Sequence, residues 1–216
     1  MTKHTYKLIY GGKRGRAEPI RAIFHYHGQH FEDVTVEKED WPKIKPNSPT
    51  GQMPFLEVDG GKLELGQTVS ICRYLAKALD PESYFAGSTK PEAAQCDMYA
   101  DTFADLFNHG IYVKYSPDGA KDFMLEIFKN FCTNVLPILE KRLKKTGKYL
   151  CGNKILWCDV YACTVLSLLE ENVGDHFIPW LEEHNHLVEF YHRMRQAPKI
   201  RHYIDEHWPE TKVKFD

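Results

Sequence analysis

The chain has 216 residues, 43% hydrophobic and 27% charged, with 28 Lys and Arg against 30 Asp and Glu and a formal net charge of −2. Those proportions suit a globular chain long enough for one large or two small cores, and the charge balance excludes the basic field of a nucleic-acid binder. No apolar run approaches the roughly 20 residues that cross a bilayer, and the opening Met1-Thr2-Lys3-His4-Thr5-Tyr6 lacks a signal-peptide core, so a cytoplasmic protein with no membrane partner is expected.

Tyr6-Lys7-Leu8-Ile9-Tyr10 reads as a strand, and the turn Gly11-Gly12-Lys13 follows it. Arg16 to His27 carries Ile20, Ile23 and Phe24 at helical spacing, with Pro19 in the first turn and Gly28 as the stop. Phe31 to Val36 is a second strand, and Asp59-Gly60-Gly61 joins strands at 54–58 and 62–65 as a hairpin. Gln67 to Leu79 is helical, with Ile71, Cys72 and Leu75 facing inward. From Pro91 only helices follow: 93–115, 120–144 with Pro137 as an expected kink, then shorter ones near 158–172, 180–195 and 198–206. This change of pattern predicts an α+β fold with a mixed domain over 1–80, a linker over 81–90 and an all-helical domain over 91–216.

The six cysteines form no CxxC pair, which argues against a redox motif or zinc clamp, and they read as small hydrophobes of a reduced chain. His25, His27 and His30 straddle a helix end, and His184 with His186 do likewise, so no metal site is expected.

Three segments carry chemistry. Tyr10 ends a strand and faces a basic stretch, Arg14-Gly15-Arg16. A strand tyrosine commonly just packs, with its hydroxyl satisfied. The functional alternative is a hydrogen bond from the phenol to a thiolate. Lowering a thiol pKa by about two units takes about 2.7 kcal/mol, and one charge-assisted hydrogen bond with a guanidinium nearby, about 1.5–3 kcal/mol each, suffices. Arg16 is the expected second donor, with Arg14 in competition. In Gly51-Gln52-Met53-Pro54, Pro54 opens a strand, either as an edge proline or after a cis bond that turns the Met53 backbone outward. Gln67-Thr68 starts a helix whose N–H groups attract a carboxylate, the threonine hydroxyl being able to cap. Trp41 and Lys45 offer an indole N–H and a cation, although a solvated loop lysine explains Lys45 as well.

Together with Phe31-Glu32-Asp33, Asp40-Trp41-Pro42, Leu56-Glu57-Val58-Asp59-Gly60 and Ile71-Cys72-Arg73-Tyr74-Leu75-Ala76, these segments resemble the sigma class of cytosolic glutathione S-transferases over essentially the full length. That class includes nematode members and the haematopoietic-type prostaglandin D synthases. The resemblance implies a thioredoxin-like domain followed by an all-helical one, a homodimer, glutathione as co-substrate, and no tightly bound cofactor. It implies detoxifying conjugation of glutathione to small hydrophobic electrophiles. It also leaves carriage of haem, or glutathione-dependent prostaglandin D isomerisation, as alternatives.

By the same resemblance Tyr10 bonds the glutathione sulphur and Arg16 assists. Trp41 and Lys45 meet the glycine carboxylate, Gln52 and Met53 pair with the cysteinyl backbone before Pro54, and Gln67 with Thr68 grips the γ-glutamyl end. Asp105, or Asp101 one turn earlier, reaches that end from the other subunit. Phe103, Phe107, Tyr112 and the tail near Trp208 are candidate walls of an apolar second pocket, core packing being the competing role of Phe103. The chain departs from the class at Thr68, usually serine, and at Gly11, often phenylalanine, which removes a wall of that pocket. Ala104-Asp105 replaces a paired acidic metal site. Leu156 replaces the usual hydroxyl cap, leaving half a capping box before Asp159 at about 1 kcal/mol.

Overall fold

The computed structural model describes residues 4–80, 82 and 84–214. Met1 to Lys3, and Pro81 and Ser83 of the expected linker, lie outside the described residues. The chain divides into two compact units, Met1–Ser83 and Tyr84–Asp216.

In the first unit, β1 (Tyr6–Tyr10), β2 (Glu32–Thr35), β3 (Phe55–Val58) and β4 (Leu63–Gly66) form one sheet in the order β2-β1-β3-β4. β1 runs parallel to β2, with Tyr10 opposite Thr35, and antiparallel to β3, with Ile9 opposite Phe55. A parallel pair needs a crossover, supplied by α1 (Glu18–Tyr26). α1 packs against α3 (Thr68–Ala78), and Ile20, Ile23, Phe24, Ile71, Cys72 and Leu75 have no exposed surface. Successive strand residues face opposite ways, so Leu8 and Ile9 serve different layers. Ile9 joins Val36 and Phe55 in a cluster covered by Val34, Trp41, Ile44 and Met53.

Several local expectations change. A 3-10 turn at Gly15–Ala17 precedes α1, which therefore starts at Glu18 rather than Arg16. Trp41–Ile44, for which no element was expected, is a short helix, α2, followed by a 3-10 turn at Lys45–Asn47. Four residues are too few for a periodicity to show.

The second unit contains α4 (Lys90–Tyr115), α5 (Lys121–Thr146), α6 (Trp157–Glu182), α7 (Asn185–Arg195) and α8 (Arg201–His207). α6 packs against α4, α5 and α7, and every residue from Trp157 to Leu169 is buried. Such a helix is apolar all round because it is the core. Pro137 lies inside a single α5, whereas the backbone break falls in α6 at Val173, with φ −142 and ψ 27. At the start of α6, Asp159 accepts from the N–H groups of Leu156 at 2.8 Å and Leu150 at 2.9 Å. Leu156 has no acceptor to return, so the carboxylate half of the box alone remains. Among the described residues no helix is long and apolar enough to cross a membrane, and no group of three His, Cys, Asp or Glu could hold a metal ion.

Candidate functional site

Tyr10 ends β1, and its carbonyl accepts from Val36 N–H at 2.8 Å, extending the parallel ladder by one bond and fixing the ring's origin. The chain then reverses through Gly11 to Arg14 and brings the 3-10 turn back over the ring. There the backbone N–H of Arg16 donates to the Tyr10 hydroxyl at 3.1 Å. With its oxygen accepting, the phenol keeps its proton for another acceptor and is polarised as a donor. A β-carbon on Gly15 would stand 2.6 Å from the same oxygen, and this glycine has a left-handed φ of +42. Only glycine lets the turn close on the phenol in this way.

The neighbouring arginines are distinguished by their partners. Arg14 pairs with the buried carboxylate of Glu18 at 3.3 Å, and Arg21 reaches the other Glu18 oxygen at 3.4 Å and Asp33 at 2.6 Å. Arg21 also donates to the carbonyls of Lys13 at 3.2 Å and Arg14 at 3.3 Å. A carboxylate 1% exposed needs such compensation. The network holds the 13–16 turn in place and ties Arg14 to the carboxylate of Glu18.

The carbonyl of Arg16 accepts from the Thr68 hydroxyl at 2.9 Å. This corrects the expected capping role of Thr68. Its hydroxyl is committed to Arg16, and the α3 N-cap residue, Gln67, makes no side-chain cap bond. Gln67 itself has φ +66 and ψ 117, a conformation costing a non-glycine residue about 1–3 kcal/mol. Strain of this kind concentrates where a function requires it. The α3 N-terminus offers amide donors and the positive end of a helix dipole to an anion. Gln67 Nε2 donates to Gln52 Oε1 at 3.2 Å, joining two of the expected binding segments.

The Met53–Pro54 peptide is cis, with Pro54 buried and Met53 partly buried on the Ile9 cluster. Ser48 brackets the preceding residue: its hydroxyl donates to Gln52 C=O at 2.7 Å and accepts from Gln52 N–H at 3.1 Å. Sequence reasoning missed Ser48, although a serine four residues before the site glutamine was a signal. Trp41 packs on the Ile9 cluster from α2. Lys45 is exposed, and its Cε lies 3.8 Å from where a Gly51 β-carbon would stand, so the cation extends alongside the 51–54 segment. One unit therefore brings together Tyr10, Arg16, Gln52, Met53, Pro54, Gln67 and Thr68 by direct bonds or adjacency, with Trp41 and Lys45 beside them.

At Gly11 a β-carbon would meet nothing nearer than Val36 O at 3.9 Å, so the residue is sterically open. In the helical unit, Phe103, Phe107 and Trp208 are buried, and Tyr112 is 57% exposed. The Trp208 ring lies under the Arg195 guanidinium at 5.8 Å. Asp101 and Asp105 are both exposed on α4, one turn apart.

Residues 6–77 match the family described as Glutathione S-transferase, N-terminal domain, and residues 104–207 match Glutathione S-transferase, C-terminal domain. Glutathione S-transferase 1 of Ascaris suum is 34% identical over 212 residues, 95% of this chain and 98% of that protein. Hematopoietic prostaglandin D synthase of Homo sapiens is 32% identical over 211 residues, covering 96% and 98% of the two chains. The crystal structure of the glutathione S-transferase from Ascaris lumbricoides superposes with a TM-score of 0.81 at 35% identity, covering 96% of this chain and 98% of that one.

Proposed function

The chain belongs to the glutathione S-transferase family, and on that premise we propose that it binds glutathione as the thiolate and transfers it to small hydrophobic electrophiles. The observation that carries the reading is the Tyr10 hydroxyl held by the Arg16 amide, with the Arg16 carbonyl held in turn by Thr68. The phenol keeps its proton and donates a hydrogen bond to the sulphur, so the thiolate prevails near neutral pH. That thiolate forms a bond to an electrophilic carbon as the leaving group departs with its electron pair, and the thiol proton passes to solvent. Rate enhancement comes from the lowered thiol pKa and from proximity, with no covalent enzyme intermediate.

In this reading Gln67, Thr68 and the α3 N-terminus take the γ-glutamyl carboxylate. Gln52 and the Met53 backbone pair with the cysteinyl unit beside Pro54, and Trp41 with Lys45 meets the glycine carboxylate. The exposure of Asp105 and Asp101 suits a role across a homodimer, one of them approaching the γ-glutamyl end of the other subunit. Of the expected pocket walls in the helical unit, Tyr112 is the exposed aromatic offered to an apolar co-substrate, whereas Phe103 has no exposed surface and belongs to the core. Detoxification in the cytoplasm is the corresponding role.

Retention of the purified protein on immobilised glutathione, with turnover of a panel of aryl halides, enals and hydroperoxides, tests the reading. Haem titration and product analysis with a prostaglandin endoperoxide are the comparison arms. Failure to bind glutathione together with absence of turnover across the panel overturns it.

A further inference from the structure

The helical unit gathers three of the six cysteines at one place. Cys96 on α4 and Cys158 in the first turn of α6 are fully buried, while Cys151, in the connection between α5 and α6, is only partly buried. The Cys151 and Cys158 sulphurs lie 4.0 Å apart, and the Cys96 thiol interacts with both. The connection is pinned by paired backbone bonds between Tyr149 and Gly152, at 3.0 and 3.2 Å. Beside it, Arg142 donates through Nε to the carbonyl of Leu150 at 2.7 Å, and through Nη2 to Gln95 at 3.4 Å, which sets a guanidinium next to Cys151.

The three thiols are therefore not equivalent. Hydrogen bonds from Cys158 and Cys96, then the charge of Arg142, hold the Cys151 thiol well below its ordinary pKa, against burial and the charge of Glu92. Burial pushes Cys158 up, reinforced by the other two cysteines and by Asp159, and burial likewise pushes Cys96 up. A partly buried thiol whose ionisation is favoured, with a fully buried thiol 4.0 Å away, is the arrangement that divides attack on a peroxide from resolution of its product.

We infer that Cys151 and Cys158 form a peroxide-responsive dithiol, with Cys151 attacking and Cys158 resolving. The Cys151 thiolate attacks one oxygen of a hydroperoxide. An S–O bond forms, the O–O bond breaks, and the departing alkoxide or hydroxide takes a proton from water, leaving a sulfenic acid. The Cys158 sulphur then attacks Cys151, the S–S bond forms, and the hydroxyl leaves as water with the Cys158 proton. The dithiol loses two electrons, and the peroxide is reduced to an alcohol and water. Two equivalents of a small thiol reopen the disulfide and emerge as their own disulfide.

Closure needs the sulphurs to approach from 4.0 Å to bonding distance, about 2.05 Å. Gly147 (φ +83) and Gly152 (φ +135) flank and enter the connection, and a β-carbon on either would meet nothing within 4 Å, so neither glycine is packed against a neighbour. Cys158 precedes Asp159, whose carboxylate holds both Leu150 and Leu156, so the bond would form within the clasp that starts α6. The inference uses no residue of the glutathione site and does not depend on the transferase reading.

The test treats the full-length protein with a few equivalents of hydrogen peroxide and no added thiol. Alkylation after unfolding, intact mass and peptide mapping follow. The expected result is loss of two of the six alkylatable thiols, a linked peptide joining Cys151 to Cys158, and full recovery with dithiothreitol. Cys151→Ser abolishes the loss, Cys158→Ser leaves a sulfenic acid at residue 151 that dimedone traps, and Tyr10→Phe oxidises like the parent. Six alkylatable thiols after peroxide, a link from Cys151 to Cys96, or equal oxidation of Cys151→Ser overturns the inference. The mass measurement on the unaltered protein decides the matter even if a variant fails to fold.

Discussion

The Tyr10 hydroxyl occupies the space that a side chain at Gly15 would need: a β-carbon there would fall 2.6 Å from the phenol oxygen. Gly15→Ala should therefore displace the ring or the turn and reduce conjugation to near the level of Tyr10→Phe. In a Tyr10→Phe background the same substitution should reduce activity much less, since the oxygen it collides with is gone. Specific activities of the four proteins form the cycle, and additive losses would separate Gly15 from the phenol.

Tyr10→Phe itself should lower kcat/KM for an aryl halide by about 10- to 100-fold, the equivalent of one charge-assisted hydrogen bond. Glutathione affinity, measured by calorimetry, should change little. The ultraviolet absorbance of bound thiolate should vanish near neutral pH and return at higher pH.

Thr68→Val removes the hydroxyl that holds the Arg16 carbonyl, and Thr68→Ser keeps it. Valine should weaken glutathione binding and also lower kcat, because the amide of the same residue holds Tyr10. Serine should restore both. Steady-state kinetics with each variant checks the split.

Gly11→Phe should fold, with a stability change within about 1 kcal/mol, because the position is open and its φ lies outside the left-handed region. The expected outcome is a changed ranking of electrophiles, with bulky ones losing most, at constant glutathione KM. A substrate panel and a thermal melt measure the two effects.

Glu140 accepts from His186 N–H at 3.1 Å, His186 Nδ1 at 2.6 Å and Leu187 N–H at 3.0 Å, and so closes the start of α7 from α5. Burial pushes its pKa up, but the bonds from His186 and Leu187 outweigh that and hold it below the ordinary 4.5. A carboxyl depressed on folding stabilises the native state above its unfolded value and loses that contribution as pH falls below it. Glu140→Gln should lower stability at pH 7 by about 1–3 kcal/mol. The difference between parent and variant melting temperatures should shrink as pH drops below 4.5.

Much of the fold could be read from periodicity. The alternation in β1, the Asp59-Gly60-Gly61 hairpin and the apolar face of α3 are local patterns, and the structure follows them closely. The errors fall where tertiary contacts override propensity. Separate helices were expected near 158–172 and 180–195, yet α6 continues to Glu182 because Val173, Phe177 and Leu181 stay buried at helical spacing, and the break is confined to Val173. At the site, the residue types were readable and the bonds were not. Nothing local to Thr68 says that its hydroxyl turns 52 positions back to Arg16 instead of capping α3, and nothing local to Gln67 announces a left-handed backbone. Ser48 and Gly15 act only through the residues they touch.

Both grips that Arg16 provides are peptide groups, its N–H on one side and its C=O on the other. They survive any non-proline replacement of the side chain. Drift at this codon thus leaves these two backbone bonds in place and acts through the side chain and whatever it touches. A saturation library at residue 16 would report what the side chain contributes while both peptide grips, on Tyr10 and on Thr68, persist.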